Sequence, residues 1–508
     1  MSQIVGEAML SRHIDAYVNV ASEIRFLISQ LGVGHIQSVT YETAWAARLS
    51  PLFPEFEASL EWLRQNQHTD GSWGSPLAQY HDRFLSTLAA IVALKEVGRH
   101  PRDARRVQRG EDALWRIVGK LSKDDSDTVG FPLLSAALTQ QGAALGLDVP
   151  NPPVRFAKAY QKKVQMLLNA PDRQLRTNPL IYSLEGLLSA LTPHDDVFEA
   201  NHSVSISPSA TAAFLLKYPE TDNGAREYLQ NVLAQNTDGG MSQFSPVDTY
   251  EVGWALNHLR LAGAITPNDP MVRKLLDFLY HQWSPEAGTT TSRYSLTYES
   301  DNTSAAFTLL KWGGYNVSGD VFYYYELDDH FCCYRGETNP SVSAMIRTLA
   351  ALRFCEDHPD YQRWVGKIVD FLYKSDQNGS FWVDKWHSSP YYVTSIALNA
   401  LRGIDDALAR TRLKWVLRTQ NDDGGWGYLG QSTPEETAYC LEALILWDRT
   451  MERLPATVIE DAARYLLRNT DFDQLVPLWI GKSLYTPTNI VKAAIWGALY
   501  AYESWKSS

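Results

Sequence analysis

The heptapeptide Gln420-Asn421-Asp422-Asp423-Gly424-Gly425-Trp426 recurs, with changes, as QHTDGSW at Gln67–Trp73, QNTDGGM at Gln235–Met241 and SDQNGSF at Ser375–Phe381. Each copy follows an amphipathic stretch. A glycine in such a turn supplies the left-handed backbone that ends a helix, the Gln amide can cap a neighbouring helix, and the aromatic side chain packs over it. Recurrence of one helix-turn unit predicts a toroid or solenoid of helix pairs. Outward from these turns, apolar residues recur three and four apart over segments of about 12 to 18 residues, as in Phe84–Val97, Ala210–Leu216 and Ala438–Leu446. Thr69–Ser72 and Asp422–Gly425 read as turns between helices, and strand alternation is scarce. The expected fold is all-α.

At roughly 150 residues per domain, the 508 residues amount to two to four domains with sizeable cores. Asp and Glu outnumber Lys and Arg by 58 to 46, and the formal charge of −12 argues against a nucleic-acid partner. A local basic pocket for a small anion stays open. With 16 Trp, 26 Tyr and 17 Phe, aromatics reach 12%, high enough to imply that aromatic surface is used. Cys332, Cys333, Cys355 and Cys440 show no CxxC pairing, so neither a disulfide framework nor a zinc site is expected and a reducing cytoplasm fits. No run reaches the roughly 18 to 20 apolar residues of a spanning helix. The opening MSQIVGEAMLSRHIDAY lacks the charged-then-apolar pattern of a signal peptide, so a cytoplasmic location is expected. An amphiphilic substrate remains compatible, because binding at a membrane surface needs only an exposed apolar patch.

Tyr298-Glu299-Ser300-Asp301-Asn302-Thr303 places two acids where a helix opens. Acids there are the ordinary outcome of capping and the helix dipole. A chemical reading stands beside that one. Protonating an alkene requires a strong, protonated carboxylic acid in a dry cavity, yet desolvation alone makes a buried Asp a weaker acid. Partners must therefore favour its reactive geometry and stabilise the carboxylate it leaves behind. Glu299 and the amide of Asn302, on either side of Asp301, meet that need.

The QxxxGxW turns resemble the QW motifs of triterpene cyclases and their terpene-cyclase relatives. Glu299-Ser300-Asp301-Asn302 resembles the DxDD or DxDT motif of class II prenyl diphosphate cyclases, the copalyl and halimadienyl diphosphate synthases. Further blocks follow in that family's order. Ser38–Trp45 resembles S-x-YDTAW, and Asp70–Gly74 with His81-Asp82-Arg83 and Ser86–Ala89 resembles DGSWG…DR…TLA. Ser207–Ala212 is like SPSATA, Asp384–His387 like the DKW block, Glu435–Tyr439 like EETAY and Pro477–Tyr485 like PLWIGKxLY. Ordered matches over nearly the whole chain are far more specific than any one of them.

The resemblance implies that Asp301 is the general acid for the terminal alkene of a linear prenyl diphosphate. Glu299, in place of the family's first Asp, would orient Asp301 or reload its proton, and Asn302 replaces the final Asp or Thr. Asn339, in Glu337-Thr338-Asn339-Pro340, falls where the family has an Asn bonded to the catalytic Asp; a turn Asn before Pro is the alternative. Asp124, Asp125 and Asp127 precede Val129-Gly130-Phe131 as the family's EDxxD-like acids precede (I/V)GF, without the leading Glu. They imply Mg²⁺ for the diphosphate, with a solvated acidic loop as the alternative. Arg83, Lys385 and Lys482 are candidate phosphate partners or members of surface ion pairs. Tyr250, Trp254, Trp386, Tyr391 and Tyr392 are candidates for a wall that shapes the polyene and steadies its cation, or are simply core. Tyr182 and Gln243 stand where plant ent-copalyl synthases have a His and an Asn holding the water that removes the last proton, so that water site is expected to be absent. Glu326-Leu327-Asp328-Asp329-His330 imitates the start of DDxxD, lacks the third Asp, and reads as a solvated turn.

The architecture implied is two (α/α) barrels with the active site between them. Residues 1–20 and 271–508 would form the first barrel, carrying the acid motif, and residues 21–270 an inserted second barrel. Without a convincing DDxxD in the C-terminal half, or length for a third helical domain, the diphosphate is expected to stay attached. The leading expectation is cyclisation of geranylgeranyl diphosphate to a bicyclic, labdane-type or rearranged, diphosphate. Farnesyl diphosphate giving a drimane-type product is the near alternative. A protein-prenyltransferase-like barrel lacks its Asp, Cys and His zinc set here, and a non-catalytic helical-repeat scaffold leaves Glu299 and Asp301 unexplained. Expected partners are the prenyl diphosphate and a downstream class I terpene synthase or phosphatase, with no transmembrane segment; the sequence does not set the oligomeric state.

Overall fold

A computed structural model of the chain describes residues 19–168, 176–188, 197–220, 223–337, 339–376 and 378–507. Residues 1–18 of the expected first-barrel piece lie outside the described residues. After α1 (Val20–Gln30) and β1 (Ser38–Val39) come α2 (Thr40–Ala47), α3 (Glu57–Gln65), α4 (Tyr80–Val97), α5 (Asp103–Val118), α6 (Phe131–Ala144) and α7 (Val154–Leu168). The 3₁₀ segment Pro179–Gly186, α8 (Pro208–Lys217) and α9 (Asn223–Gln235) lead to β2 (Met241–Ser242). The chain continues through α10 (Asp248–Leu261), α11 (Pro270–His281), α12 (Ser300–Trp312), α13 (Val342–Leu352), α14 (Tyr361–Lys374), α15 (Pro390–Leu401), α16 (Asp406–Arg418), α17 (Pro434–Thr450) and α18 (Ala456–Arg468). It ends with β3 (Trp479–Ile480), β4 (Leu484–Tyr485) and α19 (Thr488–Lys506).

The helices form two closed rings. In the first, α10, α12, α13, α15, α17 and α19 each pack on the next and α19 returns to α10, while α11, α14, α16, α18 and α1 lie outside. In the second, α2, α4, α6, the 3₁₀ segment and α8 close back on α2, with α3, α5, α7 and α9 outside. Sequence pattern sorts the layers. Outer helices carry one apolar stripe, as α18 buries Ile459, Ala462, Ala463 and Leu466. Inner helices are apolar or small nearly all round, as α15 buries Pro390 through Ser395 without a break.

The repeated turns tie the end of one outer helix to the next outer helix. Gln67 Nε2 donates to the carbonyls of Gly71 and of Arg106 in α5, both at 2.9 Å. Gln420 Nε2 does the same to Gly424 and to Val458 in α18, again at 2.9 Å. Gly71 and Gly424 have φ of 90° and 89°, where a side chain would be strained. Trp73 and Trp426 are fully buried, and each indole N–H donates to the carbonyl ten residues earlier, Leu63 and Val416, at 2.8 Å. In the third turn the sequence register is off by one. Trp382, not Phe381, makes that bond, to Leu372 at 3.1 Å, and Asp376 stands in for the Gln by pairing with Arg412 of α16 at 2.5 Å. Gln377 lies outside the described residues.

The inserted segment differs from the expected 21–270. Val20–Val39 and Val247–Ala501 share one core, and Tyr41–Met241 form the other. α1 packs on α19, and α10 on α12 and α19, so both belong to the first ring. The crossings are tied together where β1 pairs antiparallel with β2, Ser38 opposite Ser242 and Val39 opposite Met241.

The β3–β4 hairpin is driven between the rings. Gly481 O accepts from Val129 N at 2.8 Å, and Leu484 N donates to Asp82 Oδ1 at 3.0 Å. At the tip, the fully buried Lys482 Nζ lies 2.7 Å from Glu185 Oε1 and donates to Ser207 Oγ and Ser209 Oγ, each at 2.7 Å.

Trp426→Ala removes a fully buried indole and its hydrogen bond, so stability should fall by about 3–5 kcal/mol in a urea titration. A loss below about 1 kcal/mol would show that the clasp does not hold the ring.

Candidate active site

Both rings turn the N-terminal ends of their inner helices toward each other, and a cavity lies between those ends. Its walls include Val129 ahead of α6, Tyr182 of the 3₁₀ segment, Ile206 ahead of α8, Tyr250 and Trp254 on α10, and Trp386 ahead of α15. Glu299, Asp301 and Asn302, at the start of α12, complete one side, and the hairpin adds Trp479 and Tyr485. Helix N-termini carry partial positive charge, so this arrangement favours anions: a carboxylate or a phosphate.

Glu299 occupies the N-cap position of α12 with extended backbone but does not cap with its side chain. Its carboxylate instead accepts from Asn302 Nδ2 at 2.6 Å and Thr291 Oγ1 at 2.9 Å. Asn302 is oriented from behind by Trp254, whose Nε1 donates to Asn302 Oδ1 at 3.1 Å. Asp301 Oδ1 accepts from the backbone N–H of Asn302 at 2.9 Å, and that is its only hydrogen bond among the described residues. No side-chain donor among the described residues reaches its carboxyl oxygens. Burial raises the Asp301 pKa, while the Asn302 N–H and the Arg347 charge pull the other way. Glu299 is pushed up to about 7, first by burial and then by Asp301. The two acids therefore share a dry site that keeps a proton well above the ordinary carboxylate range.

Of the aromatics read from the sequence, Tyr250, Trp254 and Trp386 line the cavity. Tyr392 lies behind the wall, stacked on His387 with centroids 4.6 Å apart and accepting from Arg347 Nη2 at 3.0 Å. Tyr391 faces outward, stacked on Trp415 at 4.5 Å, and belongs to the core. The sequence reading missed Trp479, Tyr485, Phe244 and Tyr334. For two of them a signal existed: β3 pairs with β4 so that Trp479 stands opposite Tyr485, bringing both to one face. Tyr182 and Gln243 do come together, Gln243 Nε2 donating to Tyr182 Oη at 2.9 Å and to Glu42 Oε1 at 3.1 Å.

Other residues are placed differently from expectation. Asn339 is exposed, makes no hydrogen bond to Asp301, and offers its backbone carbonyl to Lys385. Arg83 is held in the first clasp by Asp70 Oδ2 at 2.7 Å and Ser72 Oγ at 2.6 Å, away from the cavity wall. Lys482 is consumed by the inter-ring cluster. Lys385 pairs with Glu337 and lies 4.8 Å from the Trp386 ring; burial lowers its pKa, and the Asp301 and Glu299 charges oppose that. Glu326–His330 forms the expected surface turn, with Glu326 paired to Arg363 and Lys367.

The acidic loop does not converge on a metal position. Asp124 Oδ2 lies 2.8 Å from His81 Nδ1 and accepts from His81 N at 2.7 Å, Asp127 Oδ1 is 3.1 Å from His81 Nε2, and Asp125 accepts from Tyr428 Oη at 3.0 Å. Burial opposes a charge on His81, but Asp124 and Asp127 more than offset it and hold its pKa above the ordinary value. The imidazole of His81 thus already occupies the place between two of the three acids. Among the described residues no group of three or more potential ligands is positioned to hold a metal ion.

Any reaction that takes its proton from Asp301 should slow as pH rises above the ordinary carboxylate range, because burial raises the Asp301 pKa. Above that range the rate should drop by up to about tenfold per pH unit. Glu299→Gln deletes a like charge beside Asp301, makes Asp301 easier to ionise, and should shift the falling limb to lower pH. A rate–pH profile whose limb stays in place or moves upward contradicts the pairing of the two acids.

The Squalene-hopene cyclase C-terminal domain matches residues 321–443 and the Prenyltransferase alpha-alpha toroid domain residues 49–133. A type B diterpene cyclase of Mycobacterium tuberculosis is 33% identical over 500 residues, covering 94% of this chain and 98% of that one. An ent-copalyl diphosphate synthase of a Streptomyces species is 30% identical over 479 residues, 91% of each chain. The structure of ent-copalyl diphosphate synthase from Streptomyces platensis superposes with a TM-score of 0.80 at 27% identity, over 95% of this chain and 99% of that one. Two closed helical rings, an acid pair at the mouth of an inner helix between them, and end-to-end likeness to these cyclases agree: the chain belongs to the class II terpene cyclase family.

Proposed function

We propose that the protein cyclises geranylgeranyl diphosphate to a bicyclic diphosphate, labdane-type or rearranged, with the diphosphate retained. The observation that carries this reading is the unengaged carboxyl oxygen of Asp301, facing a cavity walled by Tyr250, Trp254, Trp386, Trp479 and Tyr485. Asp301 gives its proton to the terminal alkene, two ring closures consume the next two alkenes while the alkene beside the diphosphate is left intact, and loss of one proton from the final cation makes the change an isomerisation. The Asn302 N–H and the positive end of α12 stabilise the carboxylate left on Asp301, and Arg347 adds a favourable charge. The aromatic faces hold the polyene folded and stabilise passing positive charge. The diterpene cyclase and copalyl diphosphate synthase names of the relatives support a C20 substrate.

Gln243 spends its amide on Tyr182, Glu42 and Ser483. That supports a last deprotonation unlike the water-mediated one of the plant ent-copalyl synthases. Mg²⁺ is proposed as a counter-ion brought by the diphosphate; Asp124, Asp125 and Asp127 do not form a ligand set for it. No described helix is long and apolar enough to cross a membrane. A cytoplasmic location and a downstream class I synthase or phosphatase, which an intact diphosphate product requires, belong to the same proposal.

Incubation with C20 and C15 prenyl diphosphates, phosphatase treatment and identification of the alcohols tests the reading. The C20 substrate should give a bicyclic alcohol, and Asp301→Ala should lower turnover at least about 10²–10⁴-fold. Exclusive turnover of the C15 substrate would replace the C20 assignment with the farnesyl one, and an unimpaired Asp301→Ala enzyme would remove the acid.

A further inference from the structure

A second cavity, of about 340 Å³, opens inside the first ring at the opposite ends of the same inner helices. Four arginines line it: Arg260 near the end of α10, Arg347 within α13, and Arg353 and Arg402, the residues that follow α13 and α15. Among the described residues none of the four forms an ion pair with a carboxylate. Glu442, the one acid on the wall, is paired with His258 Nδ1 at 2.9 Å. This concentration of positive charge lies in a chain whose net charge is −12.

Helix capping explains part of it. Arg353 Nη1 donates to the carbonyls of Ala400 at 3.2 Å and Arg402 at 2.7 Å, and Arg402 Nη1 donates to Leu446 O at 3.4 Å and Thr450 Oγ1 at 2.6 Å, as cations at helix C-termini do. Capping does not explain the other two. Arg260 is hydrogen-bonded only to Asn257 Oδ1, 3.4 Å from both Nε and Nη2, lies 5.5 Å from the Phe354 ring and feels the Glu442 charge, while Arg347 donates to the Tyr392 hydroxyl, stacks 3.3 Å over the Trp254 ring and lends its charge to Asp301. Burial lowers the Arg260 pKa to about 10, and burial together with the neighbouring Arg353 charge lowers that of Arg402. The half-buried Arg260, Arg353 and Arg402 are thus left without a carboxylate ion pair, and their planar forks match phosphate oxygens.

We propose that this cavity is a second anion site, binding a phosphate or diphosphate group between Arg260, Arg353 and Arg402 and separate from the catalytic cavity. Ile346, Phe354, Ile396 and Leu446 on the same wall are where an isoprenoid chain attached to that group would lie.

The test compares wild type with an Arg260→Gln/Arg402→Gln double variant, reading Tm and calorimetric Kd with inorganic phosphate, inorganic diphosphate and a C20 prenyl diphosphate as probes. Wild type should gain Tm with at least one probe. The double variant should weaken that Kd about tenfold or more, roughly one lost charge-assisted contact pair, and keep its cyclase turnover. The prenyl compound also fills the catalytic cavity, so only the part of a response that the double variant loses counts: a loss equal for inorganic diphosphate and the prenyl compound identifies the free anion as the ligand, and a loss seen with the prenyl compound alone identifies a lipid diphosphate. Arginine-specific labelling of wild type, mapped by mass spectrometry, gives a readout that does not depend on a variant folding: the bound probe should protect Arg260. Equal binding by wild type and variant, no response to any probe, or no protection of Arg260 overturns the site.

Discussion

The ammonium of Lys482, with no exposed surface, sits 2.7 Å from Glu185 and 3.9 Å from Glu42. Lysine comes from the first ring's hairpin and both carboxylates from the second ring, so the charges meet only when the rings are docked. Removing ions from water is costly, and geometry and extra hydrogen bonds must offset that cost. Here Ser207 and Ser209 fill the remaining donor positions, and Glu42 is pushed up to about 7, chiefly by burial, so that neutralising it relieves the excess negative charge. The cluster acts as a register pin: a docking shifted by a few ångströms leaves an uncompensated charge in the interior.

Everything at the catalytic cavity follows from that docking. Tyr182 and Ile206 of one ring face Asp301 and the aromatics of the other across a space that neither ring encloses alone. The hairpin that carries Lys482 also carries Trp479 and Tyr485, so the residue that fixes the interface and two that form the wall share one short segment. Parallel inner helices add a second constraint. The first ring's α10 and α12 bring their N-terminal ends to the central cavity, and its inner helices line the far cavity, where the arginines gather.

Local pattern carried much of the fold. The clasps were legible because each needs a glycine with left-handed backbone and a large apolar side chain, aromatic in all but Met241, at a set distance from a helix end, and both requirements are local. The third clasp was misplaced by one residue because Phe381 and Trp382 are adjacent aromatics, and only packing shows that Trp382 reaches the carbonyl of Leu372. Asp301 and Glu299 were legible as a pair on one helix start. Asn339 and Arg83 were not separable from true site residues, since a turn Asn or a clasp Arg looks the same in sequence as a ligand. Asp124 and Asp127 read as a metal loop because nothing near them in sequence announces His81, more than forty positions earlier, between their carboxylates.

By itself the sequence determined the helical class, the repeated clasps, the order of the family-like blocks and the pair of acids at one helix start, because each depends on residues close together along the chain. Tertiary structure alone decided where the rings cross over, which aromatics face the cavity, that Lys482 is an internal pin rather than a phosphate ligand, and that four arginines share one cavity. Those outcomes depend on groups separated by dozens to hundreds of residues, and burial, which sets their energies, exists only once the rings have closed and docked.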